Sequence, residues 1–322
     1  MSTSFPLFPP SASSVATEMN LLYLFIAATS AFFVVLVAAL VVFFTVKYRR
    51  RHAAEVGADI HGSLVLELTW TVIPFVLALV MFGWGADLFF RLARPPVNAM
   101  EIFVVGKQWM WKVQHPEGVR EINELHVPLG RPVKITLGSE DVVHSFGIPA
   151  FRVKMDAVPG RWTTMWFTAT EAGTYHIFCN QYCGTKHAGM VGQVIAMPES
   201  EYEAWLAGSR STVSAVDTGE RLFTELSCHT CHKDASDARG PALKDLFGST
   251  VQLTDGRKVV ADDAYLRESI MNPQGKVVQG YQPIMPAFQG MVSEENLMQL
   301  VAYLKSLKTK PATTAAPTPH EK

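Results

Sequence analysis

CNQYCGTKHAGM, residues 179–190, packs Cys179, Cys183, His187 and Met190 into one turn-rich segment spaced C-x3-C-x3-H-x2-M. A further donor, His144, lies upstream in DVVHSF. Thiolate and thioether are soft ligands and imidazole suits copper, so this mix favours copper over magnesium or calcium. A closed zinc site of four Cys or His ligands competes, but would leave Met190 idle. A Cys179–Cys183 disulfide also competes, because the segment is expected outside the cytoplasm. Two cysteines, two histidines and a methionine are more than one copper needs, and suit two coppers bridged by both sulfurs. His176, in the strand-like TYHIFC, is a rival ligand.

Outward from this stretch, residues 95–200 contain short runs rich in Val, Ile, Phe and Thr: EIFVV, VKITLG, TTMWFTAT, TYHIFC and GQVIAM. Gly, Pro and Asn separate them, which predicts an all-β antiparallel sandwich or barrel. The 179–190 segment resembles the binuclear copper (CuA) loop of cytochrome c oxidase subunit II. DVVHSFGIPAFRVKMDAVPGR (141–161) is similar to that family's segment bearing the first histidine, and GKQWMWKV (106–113) to its aromatic strand. The resemblance implies a cupredoxin-like Greek-key domain over 95–207. Its implied copper ligands are His144, Cys179, Cys183, His187, Met190 and the carbonyl of Gln181. Trp109 and Trp111 alternate with Met110 and are expected on one face of a strand. The resemblance gives Trp109 the role of the residue where electrons enter; Met110 stands where the family has Tyr. Many relatives have Glu at position 181, shared with a magnesium in the partner subunit, so Gln181 puts that link in doubt. A rigid β scaffold suits a centre that changes oxidation state without moving its ligands.

Residues 208–217 are small and polar and read as a linker. Cys228-His229-Thr230-Cys231-His232 follows. This C-x-x-C-H run is the attachment signature of a c-type haem: two thiols add to vinyl groups and His232 reaches the iron. Thr218–Leu226 is expected to be helical, with Leu222, Phe223 and Leu226 on one side. GPAL (240–243) and QPIMPAF (282–288) resemble loops of class I cytochromes c, which implies an all-α cytochrome c domain over 218–308. Met271, Met285, Met291 and Met298 are the available sixth ligands, and the resemblance favours Met285. Met/His ligation raises a haem potential. The final helix is expected at Ser293–Leu307, and the Pro- and Thr-rich tail 309–322 as disordered.

The N-terminal part is of another kind. Residues 1–20 lack Lys and Arg and read as an uncleaved outer-side tail. Leu21–Val46 is uncharged and long enough to span a bilayer. Lys47, Arg49, Arg50 and Arg51 follow, marking a cytoplasmic loop. Leu64–Phe90 is a second span containing Pro74, so 21–94 is expected as a transmembrane hairpin with both termini outside. LELTWTVIP resembles the start of the second helix in the same family, where a glutamate lies near a proton path. Glu67 takes that role by position; a solvated headgroup-level glutamate is the alternative.

The mean hydropathy is +0.15 and the net charge −1, which gives no bias toward nucleic acid. The four cysteines fall into two motif pairs, leaving none for structural disulfides. No nucleophile–base constellation or phosphate loop is visible. The order of units resembles subunit II of haem–copper oxidases with a fused C-terminal cytochrome c. That implies a bacterial plasma-membrane protein with its copper and haem domains on the periplasmic side. It implies subunit I and subunit III as partners. The donor would be a soluble cytochrome c or a quinol-oxidising complex, with electrons passing by haem c and CuA toward oxygen reduction coupled to proton translocation. A CuA-bearing nitric oxide reductase subunit and a stand-alone membrane-anchored electron carrier are the alternatives.

Overall fold

A computed structural model describes residues 8–57, 61–209, 214–233 and 238–309. Two apolar helices come first, α1 (Ala16–Lys47) and α2 (Leu64–Ala93). At about 1.5 Å rise per residue, each can cross a hydrocarbon layer of about 30 Å. Their large side chains meet no protein core: Val34, Val35, Phe75 and Phe82 are 62–74% exposed. An apolar surface of that extent belongs against lipid. Pro74 sits inside α2, as membrane helices tolerate.

The described part of the segment read as an N-terminal tail is bound. The Ala12 N–H donates to the Ala150 carbonyl (3.0 Å) and Ser13 Oγ to the Phe151 carbonyl (2.8 Å). Arg91 pairs Glu18 across the two helices at 2.7 Å, and Trp166 Nε1 donates to the Arg91 carbonyl. The start of α1 and the end of α2 therefore meet the β domain. Lys47 and the arginines of 49–51 lie at the opposite ends, in agreement with an outer β domain.

That domain is a sandwich of two five-stranded sheets. Its strands are β1 (Met100–Lys107), β2 (Met110–Gln114), β3 (Arg120–Ile122), β4 (Glu124–Pro128) and β5 (Pro132–Ser139). They continue as β6 (His144–Ile148), β7 (Val153–Ala157), β8 (Thr163–Thr168), β9 (Gly173–Cys179) and β10 (Val191–Met197). One sheet has the order β3-β2-β1-β5-β8 and the other β4-β10-β9-β6-β7. Trp111, Ile102, Ile135, Phe146, Phe167 and Ile177 fill the core between them. The five apolar runs fall in β1, β5, β8, β9 and β10.

The expectation of purely antiparallel sheets is corrected. β1 runs parallel to β5, with Ile102 opposite Ile135, and β10 parallel to β4, with Val194 opposite Leu125. The chain changes sheets between β3 and β4 at Asn123, whose φ of 59° turns the backbone sharply. Asn tolerates that left-handed conformation. The aromatic stretch is also not one strand. Gln108 and Trp109 form the turn between β1 and β2, where Lys107 opposes Met110. Trp111 is therefore a core residue while Trp109 stays at the sheet end.

Helix α3 (Glu199–Ser209) packs Tyr202 and Leu206 back onto the sandwich; nothing in the sequence reading anticipated it. Residues 210–213 of the expected linker lie outside the described residues. Helix α4 (Ala215–Glu225) begins before the linker's expected end, because Ser214 and Asp217 form a capping box. A hairpin of β11 (Thr250–Gln252) and β12 (Lys258–Val260) and helices α5 (Asp263–Met271) and α6 (Glu294–Ser306) complete the C-terminal domain. Of the tail 309–322, only Thr309 is described.

α6 also faces the sandwich. Its Met298 is buried with Phe103 and Val105 of β1, and Trp162 packs against this group. Lys305 reaches Glu101 (2.8 Å) and Asp263 (2.9 Å), and Lys134 reaches Glu101 (2.9 Å). Burial works to raise the Glu101 carboxyl, but the two ammonium groups and Thr136 overcome it and hold it at about 2. A depressed carboxyl contributes stability above its unfolded value of 4.5 that fades as pH falls toward about 2. Glu101→Gln is expected to cost about 1–3 kcal/mol at neutral pH. It should also flatten the stability loss between pH 4.5 and about 2, measured by calorimetry of both proteins across that range.

Candidate metal and haem centres

β9 delivers the first sulfur. Strand alternation turns Ile177 and Cys179 inward and leaves His176 and Phe178 outside. His176 is thereby excluded from the cluster and instead lies against the Phe178 ring. The Cys179 N–H donates to the Met190 carbonyl at 3.2 Å, so the first and last donors of the loop are neighbours where β9 and β10 pair. Asn180 N–H anchors the loop to the Ser145 carbonyl of β6 at 2.9 Å. Gly147 leaves the space for Asn180, since a Cβ there would stand 2.3 Å from its Nδ2.

The donors converge. Cys179 Sγ lies 3.7 Å from Cys183 Sγ, which is far beyond a disulfide bond, and both thiols are free. Cys183 Sγ lies 3.5 Å from His187 Nδ1 and 3.8 Å from Met190 Sδ. The Gln181 carbonyl lies 3.2 Å from Cys179 Sγ, while the Gln181 side chain is exposed. One ring nitrogen of His144 and both sulfurs lie within 4.8 Å of one another. His144 is fully buried at the start of β6 against Gly106, whose missing Cβ makes room for the ring.

The His144 hydrogen bonds test the site. Nε2 donates to Asp141 Oδ1 at 2.8 Å, and Nδ1 is buried without a partner. A buried ring nitrogen normally finds a partner or a metal. A carboxylate on the far nitrogen is the usual support of a metal-binding imidazole. Burial would raise Asp141, but the Gln108 N–H, His144 and the Val142 N–H hold it below the usual range. Burial, then the Cys179 thiol, push the Cys183 thiol up to about 11. The residues fit a thiolate-bound soft metal whose binding releases protons.

Trp109 lies beneath the loop. Its Nε1 and Gln108 Nε2 both donate to the Cys183 carbonyl, at 3.2 and 2.8 Å, and Lys186 sits over its ring. A second group, Glu121, Glu124 and His126, also brings donor atoms together. There, however, His115 and His126 both bond the Glu121 carboxylate, so the arrangement is satisfied as a hydrogen-bond network.

The C-terminal domain encloses a cavity of about 300 Å³. Cys228, Cys231 and His232 form one side of its lining, and Met285, Leu300 and Leu304 also face it. α4 stops at Leu226 and Ser227 turns left-handed (φ 59°), which starts the tight Cys228–Thr230 turn. His232 Nδ1 bonds the Pro241 carbonyl at 2.8 Å. That bond fixes the tautomer and leaves Nε2 for an iron. At Gly240 a Cβ would stand 2.8 Å from His232 Cε1. Two thiols, an oriented imidazole and an apolar chamber fit a covalently held haem. Of the four methionines, Met285 alone lines this cavity; Met298 lies in the domain seam and Met291 is 70% exposed. Glu67 stands in the first turn of α2, at the end remote from the sandwich.

The family "Cytochrome C oxidase subunit II, transmembrane domain" matches residues 2–84, and its "periplasmic domain" matches 117–197. "Cytochrome C oxidase, cbb3-type, subunit III" matches residues 214–304. A curated relative, cytochrome c oxidase subunit 2 of Alkalihalophilus pseudofirmus, is 36% identical over 282 residues, spanning 81% of this chain and 79% of its own. This chain belongs to the cytochrome c oxidase subunit II family. Relatives of the same name from Bacillus sp. (strain PS3) and Thermostichus vulcanus are 27% and 29% identical. They span 82% and 53% of this chain, and 80% and 69% of their own. Membership makes the chain a membrane-anchored oxidase subunit with a periplasmic domain, a partner of subunit I, and implies copper and haem.

The sequence did not reveal Asp141 or Asn180 as supports of the donors; the GPAL resemblance implied Pro241 beside His232, but not the bond from its carbonyl. Asp-x-x-His was the available signal for the first; Asn180 depends on a contact with the distant strand β6. Asp141→Asn is expected to lower copper affinity by about 10–100-fold, read by competition with a chelator. In the unaltered chain, copper affinity should rise as pH is raised toward about 11, because the Cys183 thiol proton becomes easier to displace; a flat profile would contradict the thiol assignment.

Proposed function

We propose that His144, Cys179, Cys183, His187, Met190 and the Gln181 carbonyl hold a binuclear copper centre of the CuA type. Cys228 and Cys231 would anchor one haem c, and His232 and Met285 are the side chains that would hold its iron. When bound, the two groups supply one-electron redox chemistry at potentials set by these ligands. The chain's residues do the rest. The sandwich keeps the copper donors fixed through electron transfer, and Ile177, Phe146 and Trp111 exclude water behind them. His144 is held in one tautomer by Asp141, and His232 by Pro241.

On this reading the chain takes electrons from an external donor, a soluble cytochrome c or a quinol-oxidising complex. It passes them by haem c and CuA to the haem–copper centre of subunit I, where oxygen is reduced to water with proton translocation. Trp109, beneath the copper loop, is the surface point for electrons arriving from outside, and Glu67 lies at the mouth of a proton path. Subunit III completes the complex in a bacterial plasma membrane. The observation that carries the proposal is the buried, unpartnered His144 Nδ1 beside two free thiols.

Metal and haem analysis of the purified complex is expected to give two coppers and one covalent haem c per copy of this chain. Met285→Ala should abolish the thioether-to-iron absorption band while the haem stays attached. Persistence of that band would assign the ligand elsewhere. Glu67→Ala should slow oxygen-linked proton uptake, and unchanged uptake would leave Glu67 a solvated headgroup-level residue.

A further inference from the structure

The two centres lie in separate domains, and one side chain belongs to the packing of both. Trp162, in the loop between β7 and β8, packs against the C-terminal core that contains Leu266, Ile270, Leu300 and Leu304. Those four residues also line the haem cavity. The same indole packs against Phe103, Val105 and Met298 in the seam. No other residue is shared in this way among the described clusters.

On its sandwich side the indole lies over Gly138 of β5. A Cβ at Gly138 would stand 3.3 Å from Trp162 Cδ1 and 3.2 Å from Met298 Cε. A side chain there would crowd both groups, which would have to give by a few tenths of an ångström. Gly138 is bonded to Ser139, which is buried. Ser139 Oγ accepts the Asp141 N–H at 3.3 Å. Asp141 in turn accepts His144 Nε2–H at 2.8 Å. A line thus runs from the core that walls the haem cavity to a copper-side imidazole: packing contacts on both sides of the indole, then covalent and hydrogen bonds.

The indole is also held in place. Its Nε1 donates to Glu294 Oε2 of α6 at 3.1 Å. Arg267 of α5 bonds both Glu294 and the Gly160 carbonyl, two residues before Trp162. Ser139 bridges Pro159 of the same loop. Two of the helices that wall the cavity, α5 and α6, therefore grip the loop that carries the indole.

We propose that Trp162 is the coupling residue between the two centres, joining the haem domain to the copper site through Gly138, Ser139, Asp141 and His144. This deepens the electron path proposed above and rests on it. With both groups bound, Trp162 would lie on the route of the single electron that leaves the haem and reduces the copper pair. The indole itself is neither oxidised nor reduced, and no proton moves. It is distinct from Trp109, which lies under the copper loop and makes no part of the seam.

The test uses the whole oxidase complex. One electron is injected into haem c by a photoexcited ruthenium reagent, and haem and copper absorbance are followed. Trp162→Leu is expected to slow the haem-to-copper step. Both spectra and both reduction potentials should be unchanged. Amide hydrogen exchange at Gly138, Ser139 and Met298 in the copper-free chain reports whether the seam stays closed. A wild-type rate in Trp162→Leu overturns the proposal. If Trp162→Leu opens the seam, Ser139→Ala decides: it leaves the indole in place and removes the Oγ link, so slowing with an unchanged copper spectrum and potential supports the proposal, and a wild-type rate, or slowing only with an altered copper site, overturns it. Missing copper or haem in the unaltered complex would instead refute the functional reading itself.

Discussion

The hydrogen bond from the Cys179 N–H to the Met190 carbonyl closes the copper loop on itself where β9 meets β10. Everything at the copper site depends on that closure. It turns donors separated along the chain into neighbours and seats them at the end of an apolar core. The loop is short, so closing it costs little chain entropy. The buried core then supplies the rigidity that a loop alone lacks. Water is excluded by the same residues that hold the sheets together.

His144 brings the second constraint. It comes from another strand and meets the sulfurs only because β6 pairs with β9, with Phe146 opposite Cys179. Its outer nitrogen is committed to Asp141, which Gln108 also bonds from the β1–β2 turn. The copper loop, the first histidine and the Trp109 turn are thus one connected unit. A disturbance in any of the three reaches the others through backbone carbonyls and carboxylates.

The haem domain is joined to this unit by more than its tether. Met298 packs against Phe103 and Val105 of β1, and the Glu101–Lys305–Asp263–Lys134 group adds partly buried charge to the same seam. Apolar contact supplies the association energy, and the ion pairs fix the orientation. Covalent linkage keeps the effective concentration of one domain near the other high, so a modest seam suffices.

The helical hairpin, the five longest apolar runs and both ligand motifs were legible in the sequence because each is local: hydropathy, alternation and fixed spacing act within a few residues. Strands β3 and β7 and helix α3 were not, since such short elements are stabilised by distant partners. The aromatic stretch misled because alternation describes a strand and a tight hairpin equally well until pairing is known. By itself the sequence determined the chemistry available: which soft donors, which thiols, which membrane anchor. Only the tertiary structure decided which nitrogen of His144 lacks a partner, which methionine faces the cavity and which tryptophan bridges two domains. Those are questions of direction and distance between segments remote in sequence, and packing alone answers them.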